Sequence, residues 1–595
     1  MTIPNDAGNL LTYGDGTTSA TYTYDNLNRK TQETVNYGPF SLTTGASYNA
    51  NGTKKTFTYP NGTVIDYAYD QNNQIAGINI PDAGYITIGN YQWTRPASIT
   101  LPGGGKREFN YDALMTTQAI TGKDPNQNTL LNYSYGFDKM DNIKQRNTQA
   151  GNFAYNYDDL YRLNEVQKNT NPTEGYTYDP VGNRLTSQAT TGNWTYDANN
   201  ELISAPPSSA GQTGGTTYAY DQNGNTVQRN VNGVIQNFVY DVDNRLIEVR
   251  DASNNLVATY TYDPFGRRIR KQTGVGGQPI PSPLAGEGQG EGVITTYYLY
   301  SDEGLIGEYD ASGNEIKAYG YKPNSTWSTD PIFMKQGTSY YFYHNDHLGT
   351  PQKMTDISGA VVWSATYDAF GKATVDAGST ITNNLRFPGQ YFDAETGWHQ
   401  NWERYYSPDT GRYITEDPLG LEAGDENFYN YVFANPVNDI DPTGEMPPAI
   451  AAYGYCLLQC MAINEFANRT GLLCELKEDN CATSCANPLN WLGFGKLKKL
   501  GMAAKTRIST KLHGNIADGR PATLYKKVDS EGNLLKWGVT KHENPAKRYT
   551  KNQIGDGDVI PIERGPRKEM LLKERNLVET NPGPDNHEPW AGKWR

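Results

Sequence analysis

The sequence predicts a mostly β fold: an elongated repeat sheet, then a helical linker, then a small α/β domain. Three observations lead there. A short aromatic-x-Tyr-Asp unit recurs along the first half of the 595 residues. Glycine (61) and tyrosine (44), with many Asn and Thr, suit short strands joined by tight turns. Finally, the charge changes sign near the end. Lys496 to Arg595 hold 21 Lys and Arg against 12 Asp and Glu, a balance of +9, whereas the whole chain stands at −13. A chain of this length needs several cores or a repeat array. Hydrophobic residues make up only 36%, but 12% aromatics give each short strand a large area to bury, which argues against disorder.

The units end at Asp25, Asp70, Asp112, Asp158, Asp179, Asp197, Asp221, Asp241 and Asp263. Later copies read YDxxGNRL, as in Tyr178 to Leu185, and the tyrosines at 157, 178, 196, 220, 240 and 262 lie 18 to 24 residues apart. Aromatic-x-Tyr alternation puts both rings on one face of a strand. Asp followed by Asn-Gly or Asp-Asn supplies the turn, because these residues tolerate positive φ and bond their own backbone. Two strands cannot bury the tyrosine face alone, but stacked units can. An unrelated sandwich or propeller is the competing reading; propeller blades usually need about 40 residues each. The Gly/Pro-rich stretch from Gly274 to Gly292 interrupts the pattern as a loop insertion.

The N-terminus, MTIPNDAGNL, is polar and is no signal peptide. It opens inside the repeat region, as expected of a piece of a longer protein or of one with separate secretion or delivery machinery. No run of about 18 apolar residues occurs, so no membrane span is expected. The acidic body and basic tail fit two readings: a tail that approaches a polyanion, or a merely solvated basic surface.

From Tyr341 denser motifs take over: YFYHNDHLGTPQKMTD, then RFPGQYFDAETGWHQNWERYYSPDTGRYITEDPLGL, then NPVNDIDPTG. With the repeats before them, these resemble the YD repeats and Rhs-associated core of Rhs proteins and of the C components of insecticidal toxin complexes, over roughly residues 10 to 445. The resemblance implies a YD-repeat β-cocoon shell (1–340) and a core domain (341–445) that enclose the C-terminal segment. It also implies that the shell cuts the chain just after a DPxG motif, acting as an aspartyl protease. The two Asp-Pro motifs here are Asp417-Pro418 and Asp441-Pro442, so Asp417 and Asp441 are the candidates. Two carboxyls sharing a site split their pKa values, one ionising to activate water while the other keeps its proton. Asp-Pro as a plain turn start is the competing reading. Where family members usually carry Leu after DPxG, this chain has Glu445 and Met446, which leaves the cut position open. His344 and His347 suggest a metal, but Asn345-Asp346 and Gly349 favour a turn.

All five cysteines fall between Cys456 and Cys485, as Cys456-x3-Cys460, Cys474 and Cys481-x3-Cys485. Residues four apart share a helix face. Disulfides, a thiolate zinc site and simple buried thiols all remain open for this linker (446–512), with x3 spacing leaning away from zinc, which more often uses C-x2-C.

The last region (513–595) changes character. Thr523 to Val528 and Leu534 to Thr540 read as a hairpin around Asp529-Ser-Glu-Gly532. Asn544-Pro545 opens a helix containing Arg548, and residues 566–579 form another, with Leu571, Glu574 and Val578 aligned. The order resembles the GIY-YIG (URI-type) nuclease module of polymorphic toxins. Tyr525 matches the first motif's tyrosine and Lys536-Trp537-Gly538-Val539-Thr540 the second motif, with Lys536 at its tyrosine position. Arg548 matches the helix arginine, Glu574 the metal-binding glutamate and Asn586 the late asparagine. The resemblance implies phosphodiester hydrolysis with DNA as substrate. Mg²⁺ or another divalent metal would sit on Glu574, Arg548 would clamp the phosphate, Tyr525 or Lys536 would orient or deprotonate water, and Asn586 would tie the site together. It also implies a cognate immunity protein. Each residue singly has an ordinary surface or core role open to it. His542 and His587 keep open a His-based RNase, and a non-enzymatic adhesive repeat protein is the third reading.

Overall fold

The computed structural model describes residues 2–207 except 6, then 214–274 and 293–445. Further on it describes 511–512, 515–516, 521–531, 533–548, 558–566, 570, 573 and 577. The insertion beyond Gly274 and the cysteine-bearing linker lie outside the described residues. Only the linker's last two residues, Lys511–Leu512, are described, as a short strand paired with Asn515–Ile516. The chain divides into two compact units, Met1–Leu497 and Lys498–Arg595.

The first unit is a β-shell. Strands from Thr2 to Ser187 form one 18-stranded sheet in which neighbours in sequence are antiparallel neighbours in space. A second meander of 16 strands runs from Thr195 to Val375, so its ladder continues through residue 341 into the core motifs. A four-stranded sheet from Tyr391 to Tyr413 follows.

The repeat unit explains this regularity. In each, the Asp carboxylate accepts backbone N–H groups two and four residues on, as Asp70 does from Asn72 (2.8 Å) and Gln74 (2.9 Å). That local bond holds the turn and lets Asn73 sit at φ 61°. The ladder slips by one residue just before the repeat tyrosine, at Ala68/Tyr69, Asn156/Tyr157 and Thr261/Tyr262 among others. The tyrosine hydroxyl then donates to the first carbonyl of the preceding strand. Tyr69 reaches Lys54 (2.8 Å), Tyr157 reaches Ile143 (2.7 Å) and Tyr262 reaches Leu246 (2.7 Å). The aromatic two positions earlier fills the core instead, as Tyr155, Phe238 and Tyr260 do. The two rings therefore divide the work: one is buried mass, and the other is a polar cap on a strand end whose carbonyl would otherwise lack a partner.

The two large sheets share one core, in which Tyr37 and Tyr59 donate to the Tyr298 and Tyr319 carbonyls at 2.8 and 2.7 Å. Among the described residues no helix is long and apolar enough to cross a membrane.

The second unit holds a three-stranded antiparallel sheet with Pro521–Val528 in the middle, Leu534–Thr540 on one side and Asp558–Pro566 on the other. The hairpin is the expected one, and its Asp529 turn repeats the shell's device, accepting from Glu531 and Asn533. The third strand was not expected from sequence. It runs through Pro566, so the following helix starts later than the expected 566. Met570, Lys573 and Leu577 are helical, and Met570 packs with Leu577 against Ala522, Leu524 and Val539.

Candidate self-cleavage and nuclease sites

The four-stranded sheet places Arg404 at the start of the strand Arg404–Ser407, under the loops that carry both Asp-Pro motifs. Each motif does start a turn. Asp417 Oδ1 accepts the Leu419 N–H at 2.9 Å, and Asp441 Oδ1 accepts the Gly444 N–H at 2.9 Å. The two readings are therefore compatible, because the second oxygen of each carboxylate faces the same cation. Arg404 Nη2 lies 2.7 Å from Asp417 Oδ2 and 3.5 Å from Asp441 Oδ2, with all three side chains nearly inaccessible to solvent.

The rest of the guanidinium holds the chain that follows the DPxG motif. Arg404 Nε donates to the Gly444 carbonyl, Nη2 to the Glu445 carbonyl (3.3 Å) and Nη1 to the Phe428 carbonyl (2.9 Å). Its plane stacks on Tyr413, 3.5 Å from the ring centre. Tyr413 donates its hydroxyl to Asp441 Oδ2 (2.7 Å), and Asn401 Nδ2 donates to both the Tyr413 oxygen and the Asp441 carbonyl at 2.8 Å. Gly444 sits at φ 75°, and a Cβ there would lie 2.3 Å from the Asn401 carbonyl, so the motif's glycine is a steric requirement. Burial pushes the Asp417 carboxyl up to about 6 against the pull of Arg404. Sequence reasoning named the two aspartates but missed Arg404, Tyr413 and Asn401, all of which lie inside the quoted core motif.

The HNDHLGTP element is a turn. Asp346 accepts from Leu348 and Thr350 at 3.0 Å. His344 is buried against Thr355, its imidazole pushed down to about 3 by burial, and His347 Nε2 lies 2.8 Å from the Val437 carbonyl.

In the C-terminal unit Tyr525 is buried at the centre of the sheet, facing Gly538 across the hairpin. A Cβ at 538 would lie 2.3 Å from the tyrosine hydroxyl, so Gly538 makes room for the ring. Lys536 pairs with Lys527, and two-residue alternation puts Tyr525, Lys527, Lys536 and Gly538 on one face. Arg564, from the third strand, donates to Thr523 Oγ1 at 3.0 Å. The apolar cluster with Met570 uses the other face of the sheet. The structure thus brings Tyr525 and Lys536 together. Arg548 ends the 3-10 turn Pro545–Arg548, which the Asn544 side chain caps through the Ala546 N–H at 3.0 Å. The Arg548 side chain, Glu574, Asn586 and His587 lie outside the described residues.

By architecture the first unit is a shell of large β-sheets built from the repeats. Comparison with known proteins agrees. Residues 125–279 match the Teneurin YD-shell family model and residues 341–376 match the RHS protein family model. These matches, with the relatives below, support an Rhs family protein. Double-stranded DNA deaminase toxin A of Burkholderia cenocepacia is 32% identical over 327 residues, covering 49% of this chain and 22% of that protein. The tRNA3(Ser)-specific nuclease WapA of Bacillus spizizenii is 26% identical over 459 residues, covering 74% of this chain and 16% of that protein. The chain thus spans less than a quarter of either relative. Among solved structures, the TcdB2-TccC3 complex without its hypervariable C-terminal region superposes with a TM-score of 0.57 at 18% identity, over 73% of this chain and 24% of that one, a likeness of fold.

Proposed function

We propose that this chain is an Rhs-type polymorphic toxin whose shell encloses a C-terminal nucleic-acid-cutting enzyme and releases it by cutting its own backbone after Gly444. The observation that carries the self-cleavage reading is the convergence of Asp417, Asp441 and the Gly444 carbonyl on Arg404. Asp441, an acceptor on both oxygens, takes a proton from water as the water oxygen attacks the Gly444 carbonyl carbon. The oxyanion that forms lies against the Arg404 guanidinium, a fixed charge that needs no reorganisation. Asp417, whose raised pKa suits the protonated partner, gives its proton to the Glu445 nitrogen as the C–N bond breaks. The products are a C-terminal carboxyl on Gly444 and a free amine on Glu445. Wild-type chain should separate into two fragments, whereas Asp417→Asn and Asp441→Asn should stay whole.

For the released tip, the proposal is phosphodiester hydrolysis, with DNA as the first substrate to test. The relatives' names include a toxin acting on double-stranded DNA and a nuclease acting on tRNA, and the basic charge of the tip suits either backbone. Tyr525 and Lys536 share a sheet face and would orient the attacking water, Arg548 would hold the phosphate and Asn586 would brace the site. Glu574 is the residue that would hold a divalent cation such as Mg²⁺, which supplies charge for the leaving oxygen. A cell that makes this enzyme needs an immunity protein, and reaching a target cell needs delivery machinery. The tip with Mg²⁺ should nick plasmid, and Glu574→Ala should not. Growth arrest with intact DNA would redirect the reading to RNA.

A further inference from the structure

Glu445 occupies a position that the self-cleavage reading leaves without a task, and its surroundings give it one. It lines the same cleft as Arg404, Asp417, Asp425 and Asp441. Two constraints hold it there. Gly444 is locked at positive φ against the Asn401 carbonyl, which fixes the direction in which residue 445 leaves. The Glu445 carbonyl itself accepts from Arg404 Nη2 at 3.3 Å. The main chain of residue 445 is therefore held beside the peptide bond proposed to break, and its side chain lines the cleft.

The charge count around it is lopsided. The groups facing Glu445 are Arg404 from the four-stranded sheet, Asp417 and Asp425 from the loops after it, Asp441 from its own turn, and Glu403, whose N–H bonds the Thr443 carbonyl at 3.1 Å. Four carboxyls, those of Asp417, Asp425, Asp441 and Glu445, thus line the cleft with one described cation, Arg404, while Glu403 lies close enough to feel Glu445 and has Arg245 near it. Burial and then the Asp441 charge push the Glu445 carboxyl up, while Arg404 pulls it down. Burial and then the Glu445 charge push Glu403 up to about 7. An ionised Glu445 therefore opposes ionisation of Glu403 beside it.

We infer that Glu445 is a positioning residue that makes self-cleavage of this chain acid-accelerated: its carboxylate competes for Arg404 and opposes the oxyanion at Gly444, and its protonated form does neither. The inference rests on the self-cleavage reading and adds a pH response to it. An ionised side chain here acts against the same negative charge that Arg404 stabilises. Once protonated, it leaves Arg404 to the Gly444 oxygen. A leucine at this position would hold the cleft in the fast form at every pH.

The test is the cleavage rate of the full chain between pH 5 and 8, followed by intact mass, for wild type, Glu445→Gln and Glu445→Leu. Wild type should speed up as pH falls. Both variants should cut at the same bond, roughly ten-fold faster than wild type at pH 7.5, the order expected for one like charge removed from a partly buried site. Their profiles should be flatter, with only the Asp417 limb left. Rates and profiles equal to wild type in both variants, or slower cutting, would overturn the inference while leaving self-cleavage intact. Absence of a cut in every form at every pH would instead remove the self-cleavage reading, and this inference with it.

Discussion

Replacing Arg404 with methionine tests the site more severely than removing either aspartate. The side chain is buried, bonds two carboxylates and three carbonyls, and stacks on Tyr413. Methionine fills much of the volume but leaves Asp417 and Asp441 facing each other without a counter-charge. Breaking a buried ion pair by deleting one partner costs about 3–5 kcal/mol, and Asp417 would recover part of that by taking up a proton. The same change removes the donor to the Gly444 oxygen, and loss of one oxyanion donor costs roughly 100- to 1000-fold in rate. Arg404→Lys keeps the charge without the planar fork and should fall between the two. The assay is the fraction of full-length chain cut with time at pH 6, read with hydrogen exchange over Asp441 to Glu445. Slow cutting with faster exchange in that segment is expected for Arg404→Met. Wild-type cutting in Arg404→Met would refute the reasoning, since nothing else described in the cleft supplies positive charge to that carbonyl.

Further predictions concern other parts of the chain. With Asp417 pushed up to about 6 by burial, the folded state binds its proton more readily than the unfolded chain. Its contribution to stability is present at low pH and is lost as pH rises through about 6, so Asp417→Asn should flatten the denaturation midpoint's pH dependence there. Gly538→Ala puts a methyl group against the Tyr525 hydroxyl and should destabilise the C-terminal sheet by about 1–3 kcal/mol, seen as a lower unfolding midpoint of that unit. Tyr157→Phe removes a hydroxyl bonded to the Ile143 carbonyl and to Asn438, and should weaken the shell locally by about 1 kcal/mol, read as faster exchange over Ile143–Thr148. Expression of residues 498–595 in bacterial cytosol should arrest growth, and Glu574→Ala should relieve the arrest.

The repeat shell was legible in the sequence because its turn chemistry is local: an Asp bonding the N–H groups two and four residues on needs no knowledge of the rest of the fold. What the tyrosine hydroxyl does was not legible, since its acceptor lies on a neighbouring strand and depends on a one-residue slip in register. The two aspartates were found through the motif they sit in. Arg404 was missed because only the packing of the four-stranded sheet against both loops brings it between them. In the C-terminal unit the hairpin was read from its alternation and its Asp529 turn. Asp558–Pro566 escaped because Pro561 and Gly565 read as loop, yet this strand lies at the sheet's edge, where proline is tolerated. The helix after it was read from the alignment of Leu571, Glu574 and Val578 but begun too early at Pro566. Met570, which lay off the expected stripe, provides part of the contact with the sheet.

Intact-mass measurement of the freshly purified full-length chain tests self-release most directly. Two species whose masses divide the sequence between Gly444 and Glu445, replaced by a single uncut species in Asp441→Asn, is the expected result. One uncut species in wild type at every pH from 5 to 8 would contradict it.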